Sequence, residues 1–386
     1  MIITAFQSFE ENLVVVCRRD VLIGAGTIGV LLATSPATGQ LNSAAIPLRL
    51  GRSRMIVDAV IDGAEPVPLI VDTGAHISLI AEPFAKARKM HEIGLTPATI
   101  AGTRARYPVV EAKKVVIAGG VDVGSVAFAV MPVPALGEGS VGSISGGLVT
   151  ILDSQMDFPN SRILIFPDGG PARSGWTRHA RGITREGTGT AYLDAIATIA
   201  GVKVPVRLDT GAPMPLLLSS ATLRRVAPDA AALNWAPVPG RNGVARLVRL
   251  PATLALGDLQ VARPLVRLPN GNENFGHDLV GYPVIRQLDL ATVVKEGAFY
   301  TRPNGLKPEA RDYNMSGLYI GRRGTGLVAE QVGRGSPAEA AGIRPGDRLA
   351  GFNFSAMIAA LNGPEGQTVK LTVDGKSVDL VLRDYL

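Results

Sequence analysis

The chain has 386 residues, with 39 basic against 33 acidic side chains and a formal net charge of +6. Its 46% hydrophobic content is material for two or three cores, and 45 glycines and 27 prolines against 5% aromatics suit a turn-rich, mainly β protein. A single cysteine excludes a disulfide framework, and arginines scattered without interleaved aromatics read as a solvated basic surface, not a nucleic-acid groove.

Residues 1–45 do not read as part of a fold. Arg18-Arg19 precede an apolar run from Val21 to Ala33, and small residues follow, with cleavage positions after Ala37 or Ala45. This resembles a twin-arginine export signal and implies a periplasmic or cell-envelope location. A non-cleaved anchor is the alternative, although the run is shorter than the roughly 20 residues of a spanning helix. Gly24-Ala25-Gly26-Thr27-Ile28-Gly29 also fits the GxGxxG turn of dinucleotide-binding folds. There the context fails: Pro36 cuts the following helix short, and no acidic residue between Asp20 and Asp58 is available to hold a ribose.

From residue 46, strands are expected over Arg54–Ala59 and Pro68–Val71, separated by an Asp62-Gly63 turn. The stretch Leu69–Ile80, LIVDTGAHISLI, ends an apolar strand on a carboxylate followed by Thr73, Gly74 and Ala75. An unpaired ionised carboxylate in such a place costs several kcal/mol or neutralises itself. A helix over Glu82–His91 follows, then a hairpin over Thr99–Val110 with Gly102 near its tip and Tyr107 on its wall. The apolar strand of DFPNSRILIFP closes this part at Pro167. Residues 168–187 carry glycines and basic residues and read as an exposed linker.

The pattern then repeats. At one constant offset Val67-Pro68 falls on Val204-Pro205, Asp72 on Asp209 and Leu79 on Leu216, so Val206–Leu217, VRLDTGAPMPLL, is a second copy. A second hairpin is expected over Val238–Val248, turning at Arg241-Asn242-Gly243, and KEGAFYTRP closes the copy at Pro303. A period this long is a duplicated lobe, not a solenoid.

At these residues the chain resembles the pepsin and retropepsin clan of aspartic proteases, DTGA being the form typical of the retroviral-like branch. The resemblance implies a two-lobed acid protease fold, lobe one over 46–167 and lobe two over 188–303. It implies Asp72 and Asp209 as a catalytic pair, Thr73 and Thr210 as braces, and Gly74 and Gly211 as points of close backbone approach. It also places two apolar residues and a glycine behind each aspartate. Leu279-Val280-Gly281 fits in the second copy; the first offers Ile144-Ser145-Gly146 or Gly147-Leu148-Val149. His76 and Pro213 replace the hydroxyl or acidic residue often found after the tetrad. Two carboxylates about 3 Å apart share one proton, which lets one activate water while the other protonates the carbonyl under attack. This chemistry needs no cofactor or metal, and the histidines His76, His91, His179 and His277 show no metal-ligand spacing.

After a second linker, 304–315, the stretch Gly335–Asp347, GSPAEAAGIRPGD, has Ser336 as N-cap, Pro337 at the first helical position and Gly342 as the stop. With the strands LVAEQV, TVKLTV and SVDLVL, residues 316–386 resemble a small α+β PDZ domain. That likeness implies that peptide C-termini bind at Gly317, Leu318, Tyr319 and Ile320, facing Met357, Ile358 and Leu361. The combined expectation is an exported aspartic endopeptidase acting on protein or peptide substrates. With both aspartates on one chain, a monomer suffices. A catalytically silent peptide-binding scaffold is the alternative.

Overall fold

The computed structural model describes residues 43–100, 103–133, 136–137, 139–185, 190–240, 243–269, 276–308 and 313–386. The leader up to residue 42, with Cys17 and the GxGxxG stretch, and the turn residues Gly102, Arg241 and Asn242 lie outside these. Among the described residues no helix is long and apolar enough to cross a membrane.

The first half runs β1 (Ala44–Pro47), β2 (Arg49–Leu50), β3 (Met55–Ile61), β4 (Val67–Asp72), β5 (Ser78–Ala81), α1 (Glu82–Ala87), β6 (His91–Ile100), β7 (Thr103–Ile117), β8 (Val121–Met131), β9 (Gly142–Ser145), α2 (Gly147–Thr150), β10 (Asp153–Asp157) and β11 (Arg162–Phe166). Asp62 and Gly63 take positive φ, 51° and 75°, in the turn between β3 and β4, as Asp-Gly favours. The helix expected to reach His91 stops at Ala87, because Lys89 turns left-handed at φ 49° and His91 opens β6 opposite Glu111. The long β6–β7 pairing outweighs a short helix whose one buried side chain is Ala85.

The second half runs β12 (Thr177–Arg178), β13 (Gly182–Thr184), β14 (Tyr192–Ile199), β15 (Val202–Asp209), β16 (Leu216–Leu217), α3 (Ser220–Val226), β17 (Trp235–Gly240), β18 (Gly243–Arg249), β19 (Thr253–Leu256), β20 (Leu259–Ala262), β21 (Leu265–Leu268), β22 (Asp278–Gly281), α4 (Tyr282–Ile285), β23 (Leu288–Val293) and β24 (Ala298–Pro303). The two halves repeat one topology. The first sheet reads β6-β7-β8-β5-β9-β4-β3 and the second β17-β18-β21-β16-β22-β15-β14. Directions match too: β4–β9 and β15–β22 are parallel, β5–β9 and β16–β22 antiparallel, β5–β8 and β16–β21 parallel. An extra β3–β7 pairing curls the first sheet toward a barrel.

A third sheet, β1-β11-β10-β23-β24-β12, takes three strands from each half and joins them through the antiparallel β10–β23 pair. Here the Ser154 and Thr292 hydroxyls lie 2.9 Å apart. One apolar core runs through both halves, and Phe158 meets Tyr282 edge-on at 6.2 Å. The strand β1 begins at Ala44, two residues ahead of the expected start.

The stretch expected to be an exposed linker, 168–187, is partly built into the sheets. β12 pairs with β24 and β13 with β14, while His179 is buried, stacked on Phe299 at 4.5 Å with Nε2 2.7 Å from Thr301 Oγ1. Its glycine and arginine content concealed the pairing, since short edge strands need no apolar run.

The C-terminal unit is a five-stranded antiparallel sheet of β25 (Leu318–Arg323), β26 (Gly326–Val332), β27 (Arg348–Ala350), β28 (Thr368–Val373) and β29 (Lys376–Val381), with α5 (Pro337–Ala340) and α6 (Phe354–Leu361). Ser336 caps α5 by accepting from Glu339 N at 3.1 Å, and the Glu339 carboxylate accepts from Gly335 N, just ahead of the cap, at 2.6 Å. Tyr313 and Met315, assigned to the second linker, are buried in this unit's core. So are Met357 and Leu361 of α6; Ile358 is exposed.

Candidate active site

Strands β4 and β15 end on Asp72 and Asp209. Each lies beside a parallel partner, Asp72 opposite Ser145 and Asp209 opposite Gly281, so the two strands leave their sheets in the same way. Each carboxylate turns back onto its own loop, accepting from Gly74 N at 3.1 Å and Gly211 N at 2.8 Å. The loops then interlock. Thr73 Oγ1 donates to Leu208 O at 2.8 Å and Thr210 Oγ1 to Val71 O at 2.6 Å. Thr73 N donates to Thr210 Oγ1 at 3.1 Å, and Thr210 N to Thr73 Oγ1 at 3.0 Å. Both threonines are 1% exposed, so these four bonds are shielded from water.

This lock brings the carboxylates together. A Cβ on Gly74 would collide with the Asp209 carboxylate, and one on Gly211 with that of Asp72, so only glycine fits at either position. The six residues expected around the pair, Asp72, Thr73, Gly74, Asp209, Thr210 and Gly211, are therefore one cluster.

The aspartates keep partial exposure, yet burial dominates their ionisation. It pushes Asp72 up to about 8, with the negative charge of Asp209 adding to the effect and Arg54 opposing it. Burial also raises Asp209, against the amides of Gly211 and Ala212, a hydrogen bond from Asp72 and the charge of Arg54. Both carboxylates are thus held above the ordinary carboxylate range, and the hydrogen bond between them raises Asp72 while lowering Asp209.

Arg54 was not among the expected site residues. It sits in the turn between β2 and β3, with Nη1 donating to Ser53 O at 3.2 Å, and its charge favours the ionised form of both aspartates. The repeat could not reveal it, because the residue before the matching strand β14 is Ala191.

The packing behind each aspartate is now defined. Of the two possibilities in the first half, Ile144 and Ser145 lie on the strand beside Asp72 with Gly146 just past its end, and Gly147-Leu148-Val149 belong to α2. By register Ser145, not a glycine, stands where Gly281 stands in the second half. A Cβ on Gly281 would collide with Met214 O, whereas Ser145 N donates to Ser78 Oγ at 3.1 Å. Behind Asp209, Arg207 and Asp194 form a buried bidentate pair at 2.9 and 3.3 Å, with the guanidinium 3.5 Å from the Tyr192 ring centre. Thr190, just ahead of β14, donates to His76 O at 3.1 Å and Ala75 O at 3.2 Å, tying the second half to the first loop.

Hairpins exist at both expected places, β6–β7 and β17–β18, at equivalent positions of the two sheets. Tyr107 is 8% exposed and packs with Leu79, Ala98 and Ala129 beneath the first.

Residues 57–147 match the aspartyl protease family. The match takes in Asp72, the first loop and the β6–β7 hairpin, and it supports a protease function, as a peptidase of the hydrolase class. It ends before the second aspartate. No curated protein matches the chain.

The remaining expected residues lie far along the chain, in the C-terminal unit. Gly317, at φ 77°, abuts Ser336; Leu318 and Ile320 are buried, and Tyr319 is partly exposed on β25.

Proposed function

We propose that the protein is a two-lobed aspartic endopeptidase whose Asp72 and Asp209 form a shared-proton dyad. The observation that carries this reading is the pair of carboxylates held together by the reciprocal Thr73–Thr210 lock. Asp209, ionised, takes a proton from water between the two as its oxygen attacks the amide carbonyl carbon. Asp72 gives its proton to the carbonyl oxygen. Collapse of the tetrahedral carbon passes the proton from Asp209 to the leaving nitrogen while Asp72 takes one back from a hydroxyl, which releases acid and amine and restores the pair. Arg54 keeps the pair from taking a second proton at mildly acid pH.

The C-terminal unit is read as a PDZ domain that recruits substrate or regulates access, and the leader as a signal that exports a monomeric enzyme to the periplasm or cell envelope. The test is cleavage of a mixed peptide library from acid to neutral pH, with Asp72→Asn as control. Cleavage that disappears in the variant supports the endopeptidase. A folded wild type that cuts nothing at any pH points to the silent peptide-binding scaffold.

A further inference from the structure

The two hairpins, β6–β7 and β17–β18, have different surroundings. On β6, Leu95 is 43% exposed, whereas Ala236 on the equivalent strand β17 is fully buried. Its cover is the C-terminal unit: Ala236, Leu247 and Leu265 share one apolar core with Tyr313, Met315 and Leu318, and Val238 packs against it. Hydrogen bonds frame that contact. Trp235 N donates to Arg334 O at 3.3 Å, Arg334 Nη1 to Ala231 O at 2.9 Å, and Asn234 Nδ2 to Tyr385 O at 3.0 Å. Below the hairpin, Arg249 Nε donates to Leu386 O at 3.1 Å. Glycines mark the closest approach. A Cβ on Gly333 would lie 2.5 Å from Trp235 O, and one on Gly335 would collide with Asn234.

The loop before β25 is also committed internally. Ser316 N donates to Asn314 Oδ1 at 2.7 Å, Gly317 N to Asn314 O at 3.2 Å and Leu318 N to Ser316 Oγ at 3.0 Å. The amides of Ser316, Gly317 and Leu318 thus have acceptors within the loop. The built contact of this unit is the one with β17–β18.

We infer that the C-terminal unit regulates the proposed active site by clamping the β17–β18 hairpin as a fixed wall of its cleft. As a statement about catalysis this rests on the endopeptidase reading; the clamp itself does not. Burying apolar side chains and satisfied backbone groups at the hairpin base suppresses its local opening, and β6–β7 has no such cover at Leu95.

The experiment is amide hydrogen exchange on the full chain, comparing wild type with Asn234→Ala/Arg334→Ala and, separately, with the wedge Gly333→Leu. A clamp predicts exchange across 235–240 and 243–249 faster by about tenfold in both variants, with 91–100 and 103–117 unchanged. Peptide hydrolysis by the same variants should show a raised KM with a smaller change in kcat, since the dyad is untouched. Unchanged exchange at β17–β18 in either folded variant overturns the clamp, as does an equal rise in both hairpins. Normal KM with a loosened hairpin overturns the regulatory role. A wild type without hydrolysis removes the endopeptidase reading, and with it the regulation, while the exchange data still decide the clamp.

Discussion

Thr73 and Thr210 each accept the other's backbone amide through the side-chain hydroxyl, at 3.1 and 3.0 Å, and this exchange couples two loops from opposite halves of the chain. Thr210→Val keeps the shape but leaves the Thr73 amide and the Val71 carbonyl without this partner. The expected loss is about 1–3 kcal/mol per stranded group in urea unfolding, with a fall in kcat because the aspartates separate. Thr210→Ser, which restores the hydroxyl, should recover most of both.

The upward shift of the Asp72 carboxyl has a stability consequence with a definite sign. The folded chain holds a proton that the unfolded chain releases above about pH 4, so the wild type loses stability as pH rises from there toward about 8. Asp72→Asn carries no such penalty. Thermal melts should show the variant more stable than wild type at pH 7–8, by on the order of a few kcal/mol, with the difference vanishing near pH 4.

The charge of Arg54 shifts the titration of both aspartates to lower pH, so its removal shifts them to higher pH. Arg54→Met is expected to move the acid limb of the kcat/KM profile to higher pH, because the dyad then takes its second proton sooner as pH falls. A pH–rate profile in which the limb stays in place would show that this cation does not act on the dyad.

Arg207 and Asp194 are each 4% exposed and satisfy one another behind Asp209. Arg207→Met leaves a buried carboxylate facing an apolar neighbour and should cost about 3–5 kcal/mol in denaturant unfolding. Asp194→Leu added to it should recover much of that loss, since no lone charge remains.

The aspartates were legible because the duplication lies in short, local sequence: an apolar strand, DTGA and a matched proline in each copy. Arg54 was not, because a cation in a turn has no partner in the repeat to mark it. Ser145 was obscured for the opposite reason: the motif calls for glycine, and strand register alone shows that a serine fills that place, anchored by Ser78. The linkers misled through composition. His179 stands among arginines and glycines, yet Phe299 and Thr301, far along the chain, bury it. The contact of the C-terminal unit with β17 likewise follows from tertiary packing of Ala236 and Leu247, which local pattern does not encode.

The central claim is that Asp72 and Asp209 act as one unit, and the most direct test is a double-mutant cycle on kcat/KM with Asp72→Asn, Asp209→Asn and the pair together. A shared-proton dyad predicts that either single change costs at least about a thousandfold and that the double variant loses no more than the singles. Losses that multiply, or a single variant with normal turnover, would contradict it.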